Sequence, residues 1–223
     1  RCYNYTSISH KKIEIQSFCI MQEQEVIKLL KNDLNFSDKS INKLKLFSNR
    51  VILANKKHNF ISKSTETNIW QRHILDSAQL VKFIDFKLGS LSDLGSGAGF
   101  PGIVLAIFNE NKDFHVKLYE KSPVKRKFLD MTIKDLDLNA KVLKNINDEV
   151  LDSEIIVCRA FKKLDQLIQV SREIAKKPHK LIVLKGQNAQ EELNKAFKNE
   201  KYPYKIENSM TDKHSRIIII KFI

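Results

Sequence analysis

The sequence predicts an α/β fold. Its centre is a mostly parallel sheet with an antiparallel C-terminal strand and helices on both faces, and a helical extension precedes it. Three observations lead there. From residue 88 onward, short apolar runs alternate with helical stretches, the pattern of a parallel sheet covered by helices. Before that point apolar residues recur at three- and four-residue spacing. Between the two regions lies Leu91-Ser-Asp-Leu-Gly-Ser-Gly-Ala-Gly-Phe-Pro-Gly102, which reads as a strand end, a glycine-rich turn and a helix start.

The elements follow in order. Residues 1–20 mix polar, basic and aromatic residues without periodicity, and the first methionine is Met21. They lack a signal-peptide apolar core, so the expectation is an unstructured tail or a start assigned upstream of Met21. Residues 21–86 form the helical extension. Val26, Ile27, Leu29 and Leu30 suit a short amphipathic helix. Ser37 is placed to cap a longer one carrying Ile41, Leu44, Phe47 and Val51. Asn59 to Ser62 reads as a loop, and Thr65 as the cap of a third helix through Val81. Residues 87–223 form the Rossmann-like domain, packed with the extension as one unit. Strands are expected at 90–94, 114–119, 140–144, 154–158 and 180–184, with helices at 101–109, 123–136, 164–177 and 189–199. Pro101 suits a first helical turn, where its missing N–H costs nothing. Tyr202–Ile206 and Ile217–Phe222 are expected to pair as the last, antiparallel strands.

Four of the six glycines in the chain fall between Gly95 and Gly102. Such spacing turns the backbone tightly and leaves bare main chain for a ligand to approach. Two cofactor classes compete for it. Gly97-Ala-Gly-Phe-Pro-Gly102 spells the dinucleotide fingerprint GxGxxG. Read from Asp93 the pattern is DxGxGxG, with Gly95, Gly97 and Gly99, which resembles the S-adenosylmethionine loop of class I methyltransferases. Glu120 ends the next apolar run, about 20 residues on, where a carboxylate can accept both ribose hydroxyls in either reading.

The chain has 39 Lys and Arg against 26 Asp and Glu, a net charge of +13. A surplus of that size favours a polyanionic partner, with nucleic acid first. The competing explanation is a general lysine bias, since the chain is also rich in Asn and Ile. Cys2, Cys19 and Cys158 form no metal or disulfide pattern, which suits a reducing cytoplasm. No apolar run approaches membrane-spanning length, and no metal and no membrane partner are expected. A monomer is expected.

Six segments in order and spacing resemble the RsmG (GidB) family of bacterial methyltransferases, which methylate a guanine N7 of 16S ribosomal RNA with S-adenosylmethionine. Asn59-Phe-Ile-Ser62 resembles the family's NLTS-type loop. Arg72-His-Ile-Leu-Asp-Ser77 matches its RHILDS run without change. Asp93 to Gly102 resembles DVGTGAGFPG, and Glu120 with Lys125 to Leu129 resembles the acid followed by a basic helix. Cys158-Arg-Ala-Phe161 resembles SRAF, and Leu184-Lys-Gly-Gln187 resembles LKGQ. The resemblance implies cofactor roles for Gly95, Phe100 and Arg159, and for the pair after the third strand, near Ile146 and Asn147. The basic pair after the strand-two acid is only partly kept, with Val124 before Lys125.

Guanine N7 carries an unprotonated lone pair, so no catalytic base is needed. Holding N7 in line with the sulfonium methyl can supply ~7–11 kcal/mol of the barrier. The candidate RNA-binding residues are Arg72, His73, Lys125, Arg126 and Lys185. Each has a plainer reading. Arg72 and His73 can pin their helix to the core, with Asp76 as the i+4 partner of Arg72. The basic helix can be a solvated face. Two rival functions remain beside the methyltransferase: a nicotinamide-dependent oxidoreductase using GxGxxG, and a non-catalytic RNA-binding or ribosome-assembly protein with a vestigial pocket.

Overall fold

The computed structural model describes residues 21–87, 89–146, 152–159, 162–175, 177–198 and 202–223. The tail at 1–20 and the candidate Asn147 lie outside them. Three helices open the described chain: α1 (Glu23–Asn32), α2 (Asp38–Asn55) and the single turn α3 (Lys63–Glu66). Ser37 caps α2 as expected, its hydroxyl accepting from the Ser40 N–H at 3.1 Å.

The third helix differs from its expectation. Ser62, not Thr65, precedes α3, and the chain then passes through a π-helical turn at Trp70–Leu75. A short turn α4 (Asp76–Ala78) and a 3₁₀ turn at Gln79–Phe83 follow. Along this stretch side chains take backbone carbonyls. Ser77 Oγ donates to the His73 carbonyl at 2.6 Å, Gln79 Nε2 to that of Asp76 at 3.0 Å, and Arg159 to that of Arg72 at 3.2 Å. Side chains that take ladder acceptors bend and rewind a helix, and short π-helical turns frequently mark functional positions.

The α/β part follows as β1 (Gly89–Leu94), α5 (Gly102–Phe108), β2 (Phe114–Tyr119), α6 (Pro123–Asp135), β3 (Ala140–Leu143), β4 (Ile155–Arg159), α7 (Leu164–Ile174), β5 (His179–Lys185), α8 (Ala189–Ala196), β6 (Tyr204–Asn208) and β7 (Arg216–Phe222). The sheet order is β3-β2-β1-β4-β5-β7-β6. β1 to β5 are parallel, while β7 runs antiparallel to both β5 and β6.

Alternation along the strands divides the core in two. Leu91, Val116, Val157, Ile182, Ile217 and Ile219 belong to a cluster shared with Val26, Leu44 and Phe47 of α1 and α2 and Ile103 of α5. Leu94, Ile156, Cys158, Leu181, Val183 and Ile218 belong to another, with Leu164 and Leu167 of α7 and Leu193 of α8. The first cluster ties the N-terminal helices to the sheet through one continuous apolar body. Among the described residues no helix is long and apolar enough to cross a membrane.

Candidate functional site

The strand order reverses between β1 and β4, and parallel strands leave a crevice at their carboxyl ends at such a switch point. The loop after β1 rims it. Gly95, Gly97 and Gly99 have φ of 76°, 58° and 99°. The Gly95 and Ser96 N–H groups donate to the Tyr119 carbonyl at 2.9 and 3.0 Å, which fastens the loop to the end of β2. The glycines then divide their tasks. A Cβ at Gly99 would lie 2.6 Å from Ile103 Cγ1. One at Gly102 would lie 2.1 Å from Leu118 Cδ2 and 2.5 Å from Asp93 Oδ2. These two permit close packing of the loop and α5. A Cβ at Gly97 would meet only the Gly95 carbonyl oxygen, at 3.8 Å, so its face is open.

Asp93 is completely buried beneath this loop. Its Oδ2 accepts from the Gly102 N–H at 3.0 Å, whereas Oδ1 has no hydrogen-bond partner among the described residues. Burial, only partly offset by hydrogen bonds and by Arg159, pushes its pKa up to about 7. Glu120, just past β2, accepts from the Gly97 N–H at 2.8 Å and the Ser122 N–H at 2.7 Å. Its carboxylate thus bridges the glycine loop and the turn into α6. Ile146 is half-buried against the α7–α8 side of the core.

Arg159 ends β4 and is held from the π-helical turn. It donates to the Arg72 carbonyl at 3.2 Å and bonds His73 Nδ1 at 2.8 Å, and it lies 3.6 Å from Asp76 Oδ2. Arginine only donates, so His73 Nδ1 accepts and the imidazole proton sits on Nε2, which donates to Thr65 Oγ1 at 2.8 Å. Burial, then the charges of Arg159 and Arg72, lowers the His73 pKa to about 3. Asp76 in turn accepts from Thr211 Oγ1 at 2.9 Å and Gln79 Nε2 at 3.0 Å. The guanidinium also lies 5.2 Å over the Phe100 ring. That ring is buried against Phe47 and His73, with centroids 5.0 Å away in each case. The Phe100 side chain therefore packs beneath the crevice and carries Arg159 on its face.

The structure separates the residues expected to meet RNA. His73 is buried in the Arg159 network rather than on the surface. Arg72 pairs with Asp212 at 3.1 Å, not with Asp76, and its side chain stays 45% exposed. Lys125 is partly exposed at the start of α6. Arg126 folds back onto the carbonyls of Glu120 and Lys121, bracing the turn that follows β2. Lys185 is 10% exposed and spends its ammonium on Glu192 and the Lys162 carbonyl, both at 2.8 Å. Arg126 and Lys185 are thus structural cations here. Thr211 and Asp212 join the network without a signal in the sequence, because each reaches it from some 135–140 positions further along the chain; Thr65, read from the sequence as a helix cap, joins it from α3.

A family description, rRNA small subunit methyltransferase G, matches residues 40–219. The chain belongs to this family. The relative from Pelagibacter ubique (strain HTCC1062), named ribosomal RNA small subunit methyltransferase G, is 37% identical over 201 residues, 87% of this chain and 94% of its own length. The one from Rickettsia akari (strain Hartford), with the same name, is 38% identical over 186 residues, 83% of this chain and 95% of its own. Among solved structures, a SAM-dependent methyltransferase from Aquifex aeolicus superposes with a TM-score of 0.57 at 12% identity, over 79% of this chain and 98% of that one. That likeness concerns the fold. Membership of the methyltransferase G family favours neither the nicotinamide reading nor the vestigial-pocket reading. Among the described residues no group of three or more His, Cys, Asp or Glu side chains is placed to hold a metal ion.

Proposed function

We propose that this chain transfers a methyl group from S-adenosylmethionine to N7 of a guanine in 16S ribosomal RNA, in the cytoplasm. One observation carries the reading. In a chain of the methyltransferase G family, an open glycine face at Gly97 lies between the buried carboxylate of Asp93 and the bridging carboxylate of Glu120, at the switch point of the sheet. These residues fit a cofactor with an amino-acid end and a ribose. Asp93 Oδ1 is a buried acceptor with no donor among the described residues. Glu120 now accepts two backbone N–H groups and has lone pairs left for ribose hydroxyls. Arg159 uses part of its five-donor fork on the π-helical turn and offers the remainder to the carboxylate of the amino-acid end.

When bound, S-adenosylmethionine supplies an electrophilic methyl on a sulfonium. The residues of the chain hold and orient. The Gly95–Gly99 turn admits the cofactor against bare backbone, and Glu120 fixes the ribose end. Asp93 and Arg159 fix the amino-acid end. No side chain has to remove a proton, because guanine N7 presents its lone pair unprotonated. Alignment then supplies the rate enhancement. Within this reading Arg72 and Lys125 are the candidate RNA contacts among those read from sequence.

The test is transfer of labelled methyl to small ribosomal subunits that lack N7-methylguanosine, followed by digestion and identification of the base. Label in N7-methylguanosine supports the reading. Absence of label, with S-adenosylmethionine bound and the fold intact, overturns it.

A further inference from the structure

The end of the sheet opposite the crevice carries a groove of about 650 Å³ whose lining includes Lys82, Lys180, Lys205 and Lys221, with Asp85 the lone carboxylate side chain among the described residues. We infer that this groove is a second RNA contact, a phosphate-binding surface engaging the same ribosomal RNA away from the reacting base. The inference rests on the rRNA reading above.

Register makes the groove unusual. Lys180 of β5 lies directly opposite Lys221 of β7, and Lys205 of β6 lies opposite Ile219, one pair further along the same face. Like charges placed directly across a strand pair are destabilising. A lysine-rich composition accounts for lysines on exposed surfaces. It does not account for two facing each other across a ladder with no ion pair to either among the described residues. The acids nearby give little relief. Glu207 pairs with Lys205 at the exposed rim, where such pairs are weak. Asp85 accepts from the Lys87 N–H. Lys180 Nζ is fixed by the Phe83 carbonyl at 2.9 Å, which holds one charge in place at the floor.

A second groove meets the first over Pro203 and Lys221 and adds Lys177, so the positive surface turns the corner of the sheet. A track of ammonium groups along a curved surface suits a phosphodiester chain, whose charges repeat along its length. β5 has seven residues, and at about 3.3 Å per residue the groove stands roughly 20 Å from the crevice. A folded RNA easily spans that distance.

The experiment measures binding of the full-length protein to small ribosomal subunits across a salt series. The groove variant is Lys82→Gln with Lys205→Gln and Lys221→Gln, all three exposed; Lys180 is kept because it bonds the 3₁₀ turn. The control variant is Lys28→Gln with Lys57→Gln and Lys134→Gln, also exposed and equal in net-charge change. At about 0.7 per phosphate contact, the groove variant is expected to lose about 2 from the slope of log K against log salt. Its KM for subunits rises, while kcat and S-adenosylmethionine affinity stay at wild-type values. The control variant is expected to keep the wild-type slope. Equal losses in both variants, or none in the groove variant, overturn the inference. Failure of the methyltransferase reading is separate: it shows as absent transfer by the wild type, whatever the binding slopes.

Discussion

Two buried groups pull the pH dependence of stability in opposite directions, and removing either one exposes the other. Asp93 has its pKa raised by burial from 3.8 to about 7. Between those values the folded chain holds a proton that the unfolded chain has lost. This contribution is fully present below the unfolded pKa and is lost as pH rises toward 7. His73 has its pKa lowered, chiefly by burial and then by Arg159 and Arg72, from 6.5 to about 3. Here the unfolded chain holds the extra proton. The contribution is present above pH 6.5 and is lost as pH falls toward 3. Each group changes stability by about 1.4 kcal/mol per pH unit where only one state is protonated, so the two slopes largely cancel between about pH 4 and 6.5. Asp93→Asn keeps an acceptor for the Gly102 N–H but does not titrate. Its stability relative to wild type should climb with pH by about 1.4 kcal/mol per unit in that window. His73→Asn keeps an acceptor for Arg159, and its stability relative to wild type should fall with pH by a similar amount. Urea unfolding at pH 4.5, 5.5 and 6.5, with unchanged m-values, reads both differences. Differences from wild type that are flat with pH in both variants would refute the assignment of these protons.

The same site yields further expectations. An amino-acid ammonium binding at Asp93 needs its carboxylate, so S-adenosylmethionine affinity should weaken by up to about tenfold per pH unit below pH 7, as read by calorimetry; an affinity constant from pH 5.5 to 8 would count against that contact. Gly102→Ala places a methyl on Leu118 and Asp93 and should cost about 1–3 kcal/mol, visible in denaturant midpoints. Gly97→Ala meets open space but a φ of 58°. Its stability loss should be about 1–2 kcal/mol, with a disproportionate loss of cofactor affinity. Asp76→Ala strands the guanidinium of Arg159 and should destabilise by about 3 kcal/mol, whereas Asp212→Ala, whose partner Arg72 is 45% exposed, should cost under about 1 kcal/mol.

The strands, the sheet class and the glycine loop were legible because they depend on local pattern. β2 coincides with its expected range, and β1, β4 and β5 differ by a residue or so at their ends. Period-two alternation and turn glycines act within a few residues, and burial on both faces of a parallel strand writes itself as an apolar run. What escaped the sequence is what distant contacts decide. The segment at 65–83 has helical spacing throughout, yet it runs as π, α and 3₁₀ turns, and one of the carbonyls it presents is taken by Arg159, 87 positions from Arg72. Lys185 and Arg126 look like free cations in a basic sequence for a different reason: their partners, Glu192 and the carbonyls of Glu120 and Lys121, are only five to seven positions away but are brought beside them by turns rather than by helical or strand spacing.

The RHILDS run shows where pattern and contact meet. Its match to the family gave no role for each residue, and i+4 spacing offered Asp76 to Arg72 as a plain helical pair. The fold instead sends Asp76 inward to Arg159 and Arg72 outward to Asp212. A π-helical turn makes this possible, because its wider winding shifts the angular offset between residues four apart. The segment thereby turns His73, Asp76 and the Arg72 carbonyl toward one guanidinium at the end of β4. The N-terminal helices therefore do more than cover a face of the sheet. They supply the groups that fix the position and charge environment of Arg159 and the rings that pack on Phe100, so a change in the extension reaches the crevice through Arg159 and through Phe100.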